Sequence, residues 1–195
     1  DEGLRSIEKV IDRELLNILV ESNNNQTYGI DKLSKEDIYE ISKVELNKIN
    51  SGLLRDAYGL NVKELGEYLN KEYGIQIQYF EPKEHNYLGT CDIDTKTIGI
   101  SKRIVNTSRE MFVLGHEFGH FLLHQKVVIN QKLLDSFNDS KFSFSKGKHS
   151  LENPRQWIEW QANYFSVSLL LPQSSITAKL WQSMQRRGLK KGNFI

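Results

Sequence analysis

His116 and His120 stand four residues apart in a mostly apolar run, and this spacing restricts the fold more than any other feature of the chain. Met111, Phe112, Leu114 and Phe118 give the segment one apolar face, which predicts a helix through about Leu123 that packs into a core. Thr107 followed by Glu110 predicts a capping box at its start. Residues four apart on a helix lie about 40° apart around the axis and about 6 Å along it, so two imidazoles can reach one metal ion from adjacent turns. Glu117 lies about 100° around from His116 and can face a water at that ion. Gly119 costs about 1 kcal/mol in a helix interior, and close approach of another element is the reason we expect for it. His116-Glu117-Phe118-Gly119-His120 is thus an H-E-x-x-H match with a mechanism behind it.

A catalytic zinc normally takes three protein ligands and keeps one open position. The extended pattern with a third histidine fails, because Leu123 and Lys126 occupy the glycine and histidine places. His124 lies about 12 Å along the axis from His116, too far to share the ion, and reads as a supporting or surface histidine. Cys91 falls in a predicted hairpin and reads as packing. A carboxylate remains. Glu159 lies beside the expected buried face of a later helix, formed by Ile158, Ala162, Phe165 and Leu169, with Trp157 and Trp160 as neighbours. On spacing alone, a solvated glutamate fits Glu159 at least as well as a ligand does.

The rest of the chain reads as follows. Leu4, Ile7, Ile11, Leu15 and Ile18 mark an amphipathic helix over 4–20. Ser34 with Asp37 opens a second helix, and Asn61 with Glu64 caps a third that ends near Gly74. Residues 75–80 alternate as a strand stopped by Pro82, and two β-rich runs over 88–93 and 97–101 form a hairpin. Residues 126–150 read as a long loop. Asn153-Pro154 opens the helix that carries Glu159, which stops at Pro172, and a last helix runs from Ser175 to Arg187. We expect a helical extension over 1–59, a central domain over 60–172 and a basic helix or tail over 173–195.

Composition excludes several classes. The net charge of +1 advertises no nucleic-acid binding, no apolar stretch approaches a bilayer span, and a single cysteine rules out an internal disulfide framework and suits a reducing cytoplasm. The opening Asp1-Glu2-Gly3 lacks an initiator Met and the layout of a signal peptide, so a trimmed chain is expected.

Glu159-Trp160-Gln161-Ala162-Asn163-Tyr164-Phe165-Ser166, followed by Leu169-Leu170-Leu171-Pro172, resembles the signature E-x-x-A-N-x-F-A-x-x-L-L-M-P. Together with the H-E-x-G-H string, and with Arg109 and Phe112 in its lead-in, it resembles the ImmA/IrrE family of metallopeptidases over roughly residues 60–172. Ser166 and Leu171 depart from the family's alanine and methionine, at positions that read as packing, and the tail after Pro172 is shorter than the resemblance leads one to expect.

The resemblance implies an α+β, zincin-like fold: a small antiparallel sheet packed against a metal-binding helix and a third-ligand helix. It implies that His116, His120 and Glu159 bind the metal and that Glu117 is the general base. Zinc is the expected ion, although two histidines and a carboxylate would also accept manganese or iron. Asn163 and Arg155 are the neighbours able to reach an oxyanion, though a core asparagine and a surface arginine fit them better. Thr97–Ser101 is a candidate edge for adding an extended substrate strand, and an internal strand fits it equally well.

The implied target is a helix-turn-helix transcriptional repressor, in the cytoplasm, with no membrane partner and no direct nucleic-acid binding expected. Two alternatives stay open. One is a regulatory binding module with a structural metal, favoured slightly by Lys179, Arg186, Arg187, Lys190 and Lys191. The other is a peptidase with a different protein target.

Overall fold

The computed structural model describes residues 33–55, 59–81, 87–125 and 154–188. The helix expected over 4–20, the loop over 126–150, Pro82, the Asn153 cap, the side chain of Arg155, Lys190 and Lys191 lie outside the described residues.

Helix α1 spans Lys35–Asn50 and opens at the expected start, on a capping box with Ser34 N–H donating to Asp37 Oδ2 (2.9 Å) and Asp37 N–H donating to Ser34 Oγ (3.1 Å). These bonds satisfy two of the amide donors that a helix start leaves without partners. A 3₁₀ turn over Ser51–Leu54 follows. Helix α2, Val62–Tyr68, carries the Asn61–Glu64 box, but its last stretch, Leu69–Tyr73, loosens into a π-helical turn before Gly74 ends it at φ +72°. That positive φ suits glycine.

Strands β1 (Gln76–Phe80), β2 (Gly89–Asp92) and β3 (Thr97–Ser101) form one sheet in the order β1-β3-β2. The hairpin β2–β3 is antiparallel, with Gly89 opposite Ile100, but β1 pairs with β3 in parallel, Gln76 opposite Thr97 and Phe80 opposite Ser101. The sheet is therefore mixed, which corrects the antiparallel expectation. Alternation of side chains reports which face a strand buries and carries no information on direction. Phe80 and Gly89 flank the same end of β3, on its two sides, so β3 lies in the middle. Thr97–Ser101 is accordingly no edge: it pairs on both sides and is buried from Ile98 to Ser101, as a central strand is. Among the described residues, strands β1 and β2 are the edges.

Helix α3 spans Ser108–Leu123. The Thr107–Glu110 capping box does not form. Thr107 Oγ1 donates to Ile104 O (2.6 Å), and the buried Glu110 accepts from Tyr79 Oη–H (2.9 Å) and Asn106 N–H (2.6 Å) instead. Asn106 has a left-handed φ of +62°, and Glu110 takes its amide in place of the Thr107 amide that a capping box would use.

Helix α4, Pro154–Leu170, buries Ile158, Ala162, Phe165 and Leu169, the face read from the sequence. Helix α5, Gln173–Arg186, starts directly after Pro172 and is tied to the turn after α1 by a bond from Ser175 Oγ to Leu53 O. One core joins these pieces: Ile38 and Leu46 of α1, Ile98 and Ile100 of β3, Leu114 and Phe118 of α3, and Phe165 and Leu169 of α4. Each fully buried side chain of this kind contributes about 1.5–3 kcal/mol relative to exposure. No helix among the described residues is long and apolar enough to cross a membrane.

Candidate metal centre

Helices α3 and α4 touch along a strip of small residues. A Cβ on Gly119 would lie 3.1 Å from Ala162 Cα and 3.2 Å from Ala162 O, and one on Gly115 would lie 2.8 Å from Ser166 Oγ. Helix α4 is thus the element whose close approach Gly119 permits. Ser166, expected only to pack, also donates from Oγ to Phe112 O (2.8 Å) across the contact. This approach brings Glu159, three residues before Ala162, to the histidine pair on α3.

His116 Nε2 and His120 Nε2 lie 2.9 Å apart, and Glu159 Oε2 lies 3.5 Å from the first and 3.9 Å from the second. Among the described residues these three side chains form the group able to hold a metal ion, with all ligand atoms within 4.8 Å of one another. Ligands at about 2.0–2.1 Å from a tetrahedral zinc sit roughly 3.3 Å apart, close to the observed separations. Both histidines are buried, whereas Glu159 is partly exposed, so the cluster opens to solvent on its carboxylate side.

The outer nitrogens of the rings are engaged. Asn163 Nδ2 donates to the backbone oxygen of Glu159 (2.6 Å), an atom that can only accept, so Asn163 Oδ1 faces His116 Nδ1 at 3.1 Å as an acceptor. In its neutral form His116 then carries its proton on Nδ1 and turns a lone pair on Nε2 toward the cluster. Both ends of the Asn163 amide are engaged in this way, which makes it a positioning group for His116. His120 Nδ1 lies 3.1 Å from His124 Nδ1, and His124 Nε2 lies 3.0 Å from Gln161 Oε1. His124 is therefore a buried support for His120. Burial, followed by the neighbouring histidines, holds the His120 pKa well below its ordinary value. Burial also pushes His124 down to about 4, although the Gln161 bond and Glu159 oppose it. A neutral imidazole with its lone pair turned inward suits a cation.

Glu117 is 1 % exposed, and its Oε1 is a buried oxygen without a hydrogen-bond partner among the described residues. Burial, and then the charge of Glu159, raises its pKa well above the carboxylate range. Strand β2 makes room for it: a Cβ on Gly89 would collide with Glu117 Oε1 and lie 2.5 Å from Val113 Cγ1. A desolvated carboxylate beside the converging His116, His120 and Glu159 side chains is a costly arrangement in the absence of a cation. The residues present therefore fit a divalent ion. Cys91 is buried, as expected of a packing residue, with its pKa raised by burial.

Gln161 and Gly89 were not singled out from the sequence. A polar residue beside an apolar helix face, and a glycine opening a strand, are weak signals that become specific only once α3 is placed against them.

No curated protein matches the chain. The family model described as the IrrE N-terminal-like domain, of a peptidase family, matches residues 70–189. That stretch is more than half of the 195 residues and holds every side chain of the cluster, the sheet and α5, while α1 precedes it. The chain belongs to the ImmA/IrrE family of metallopeptidases.

Proposed function

We propose that the protein is a metal-dependent endopeptidase that cleaves a helix-turn-helix transcriptional repressor in the cytoplasm and so relieves repression in a mobile element or stress response. In this reading His116, His120 and Glu159 hold one divalent ion, zinc by expectation, and Glu117 is the general base. The observation that carries the reading is the buried oxygen of Glu117, without a hydrogen-bond partner among the described residues, beside the His116–His120–Glu159 cluster.

A bound divalent ion would supply Lewis acidity toward a peptide carbonyl and toward water. The protein's part is proton traffic and positioning. A Glu117 with a raised pKa takes a proton from water and returns it to the leaving amine, a task served best by an acid whose pKa lies near the working pH. Asn163 and His124 hold the two imidazoles in register, which keeps the reacting geometry preorganised. The repressor target follows from the family resemblance, and the single buried thiol suits a reducing compartment.

The test incubates the zinc-loaded chain with helix-turn-helix repressors encoded beside its gene and identifies fragments by mass spectrometry. Site-specific cutting that Glu117→Gln abolishes while keeping its zinc supports the reading. Cutting at an unchanged rate in Glu117→Gln overturns the assignment of the base. Repressor binding without cutting, equal in both proteins, points to the binding-module alternative.

A further inference from the structure

Two buried side chains that take no part in the proposed proton traffic stand behind His120. His124 and Gln161 are each 1 % exposed, and they form a line from α4 back to the cluster: Gln161 Oε1, His124 Nε2, His124 Nδ1, His120 Nδ1. A neutral imidazole carries one N–H, so this line can be polarised in only two ways. If Gln161 presents its carbonyl oxygen, as it does here, the His124 proton sits on Nε2 and His124 Nδ1 is an acceptor. His120 then donates from Nδ1 and turns a lone pair on Nε2 toward the cluster. With the opposite polarity, His120 would carry its proton on Nε2, 2.9 Å from the lone pair of His116 Nε2. The two rings would then bond to each other, and one of the three electron pairs facing the ion would be gone.

We propose that Gln161, acting through His124, sets the polarity of this line and thereby holds His120 in the tautomer that accepts a metal ion. Gln161 and His124 are positioning residues, since neither has an atom in the group of converging ligands. The arrangement complements the opposite side of the site, where Asn163 settles the tautomer of His116 through one hydrogen bond. Each imidazole is thus oriented by an amide of α4: His116 directly, and His120 through one intervening ring. The inference rests on the reading of the cluster as a metal site, and its test separates the two.

Nitrogen-15 NMR of the histidine side chains in the metal-free protein reads the tautomers directly, and competition with a chromophoric chelator reads zinc affinity. The unaltered protein is expected to show His124 protonated on Nε2 and His120 on Nδ1. Gln161→Met removes the acceptor at similar volume, and should mix the tautomers of both rings and weaken zinc binding roughly 10–100-fold. Gln161→Glu keeps an acceptor in place and should restore the tautomers, with zinc affinity within a few-fold of the unaltered protein. A merely structural role for Gln161 would not produce this rescue.

His124 protonated on Nδ1 in the unaltered protein overturns the proposal, and that result needs no variant to fold. Zinc binding by Gln161→Met as tight as in the unaltered protein overturns it as well. If the unaltered protein binds no zinc yet shows the expected tautomers, the metal reading falls and the polarity stands.

Discussion

Replacing Gly119 by alanine tests the link between helix packing and the site. The added Cβ would sit 3.1 Å from Ala162 Cα, 3.2 Å from Ala162 O and 3.1 Å from Phe165 Cδ1. Carbon atoms in ordinary contact lie about 3.5–4.0 Å apart, and two of these three neighbours are backbone. Helices α3 and α4 must therefore give way by a few tenths of an ångström. Alanine gains about 1 kcal/mol of helix propensity over glycine, whereas overpacking a core costs about 1–3 kcal/mol. The net expectation for the metal-free protein is a loss of up to about 2 kcal/mol. The larger effect falls on the site, because Glu159 travels with Ala162 and metal ligands tolerate only about ±0.2 Å. Zinc affinity should drop roughly tenfold or more. Urea denaturation of the metal-free protein gives the first quantity and chelator competition the second. A variant stabilised by the full propensity gain, with unchanged zinc affinity, would refute the argument that Gly119 exists to admit α4.

Three further outcomes are expected. Glu117→Gln should raise the urea midpoint of the metal-free protein at neutral pH, because it replaces a desolvated carboxylate by a neutral group; a lowered midpoint would mean the carboxylate has a stabilising partner. Gly89→Ala should push Glu117 and Val113 out of place and cut peptidase activity at least tenfold while zinc stays bound; full activity would show that β2 can withdraw freely. In the metal-free protein the unfolded chain takes up the His124 proton near pH 6.5, whereas the folded chain does so only near 4, so this group's contribution to stability is lost as pH falls through that window. The contribution is about 3 kcal/mol. Glu117 acts with the opposite sign, its raised pKa removing stability as pH rises above the ordinary carboxylate value. Urea midpoints for the unaltered protein and His124→Gln between pH 4 and 8 isolate the histidine as a difference curve, and a flat difference would contradict its depressed pKa.

Much of the scaffold was legible because its signals are local. The helix start at Ser34, the Asn61 capping box, the apolar face of α4 and the glycine on α3 each follow from spacings within one element. Direction within the sheet was not, because β1 and the hairpin alternate in the same way whichever way they run. The Thr107–Glu110 box failed for a tertiary reason: Tyr79 and Asn106 take both carboxylate oxygens of Glu110. At the site, the H-E-x-x-H string located the helix, but on spacing Glu159 was no better placed than a solvated glutamate. Its position beside the imidazoles depends on how closely α3 and α4 approach, which Gly115, Gly119, Ala162 and Ser166 decide jointly. Gln161 was invisible for the same reason, since its partner His124 lies 37 residues away.

The metal site itself is tested most directly by elemental analysis of the purified protein after zinc loading and gel filtration, alongside His116→Ala, His120→Ala and Glu159→Ala. One zinc per chain in the unaltered protein is expected, with loss in both histidine variants and weakened retention in Glu159→Ala. Equal zinc content in all four proteins would contradict the ligand assignment on which the proposed function stands.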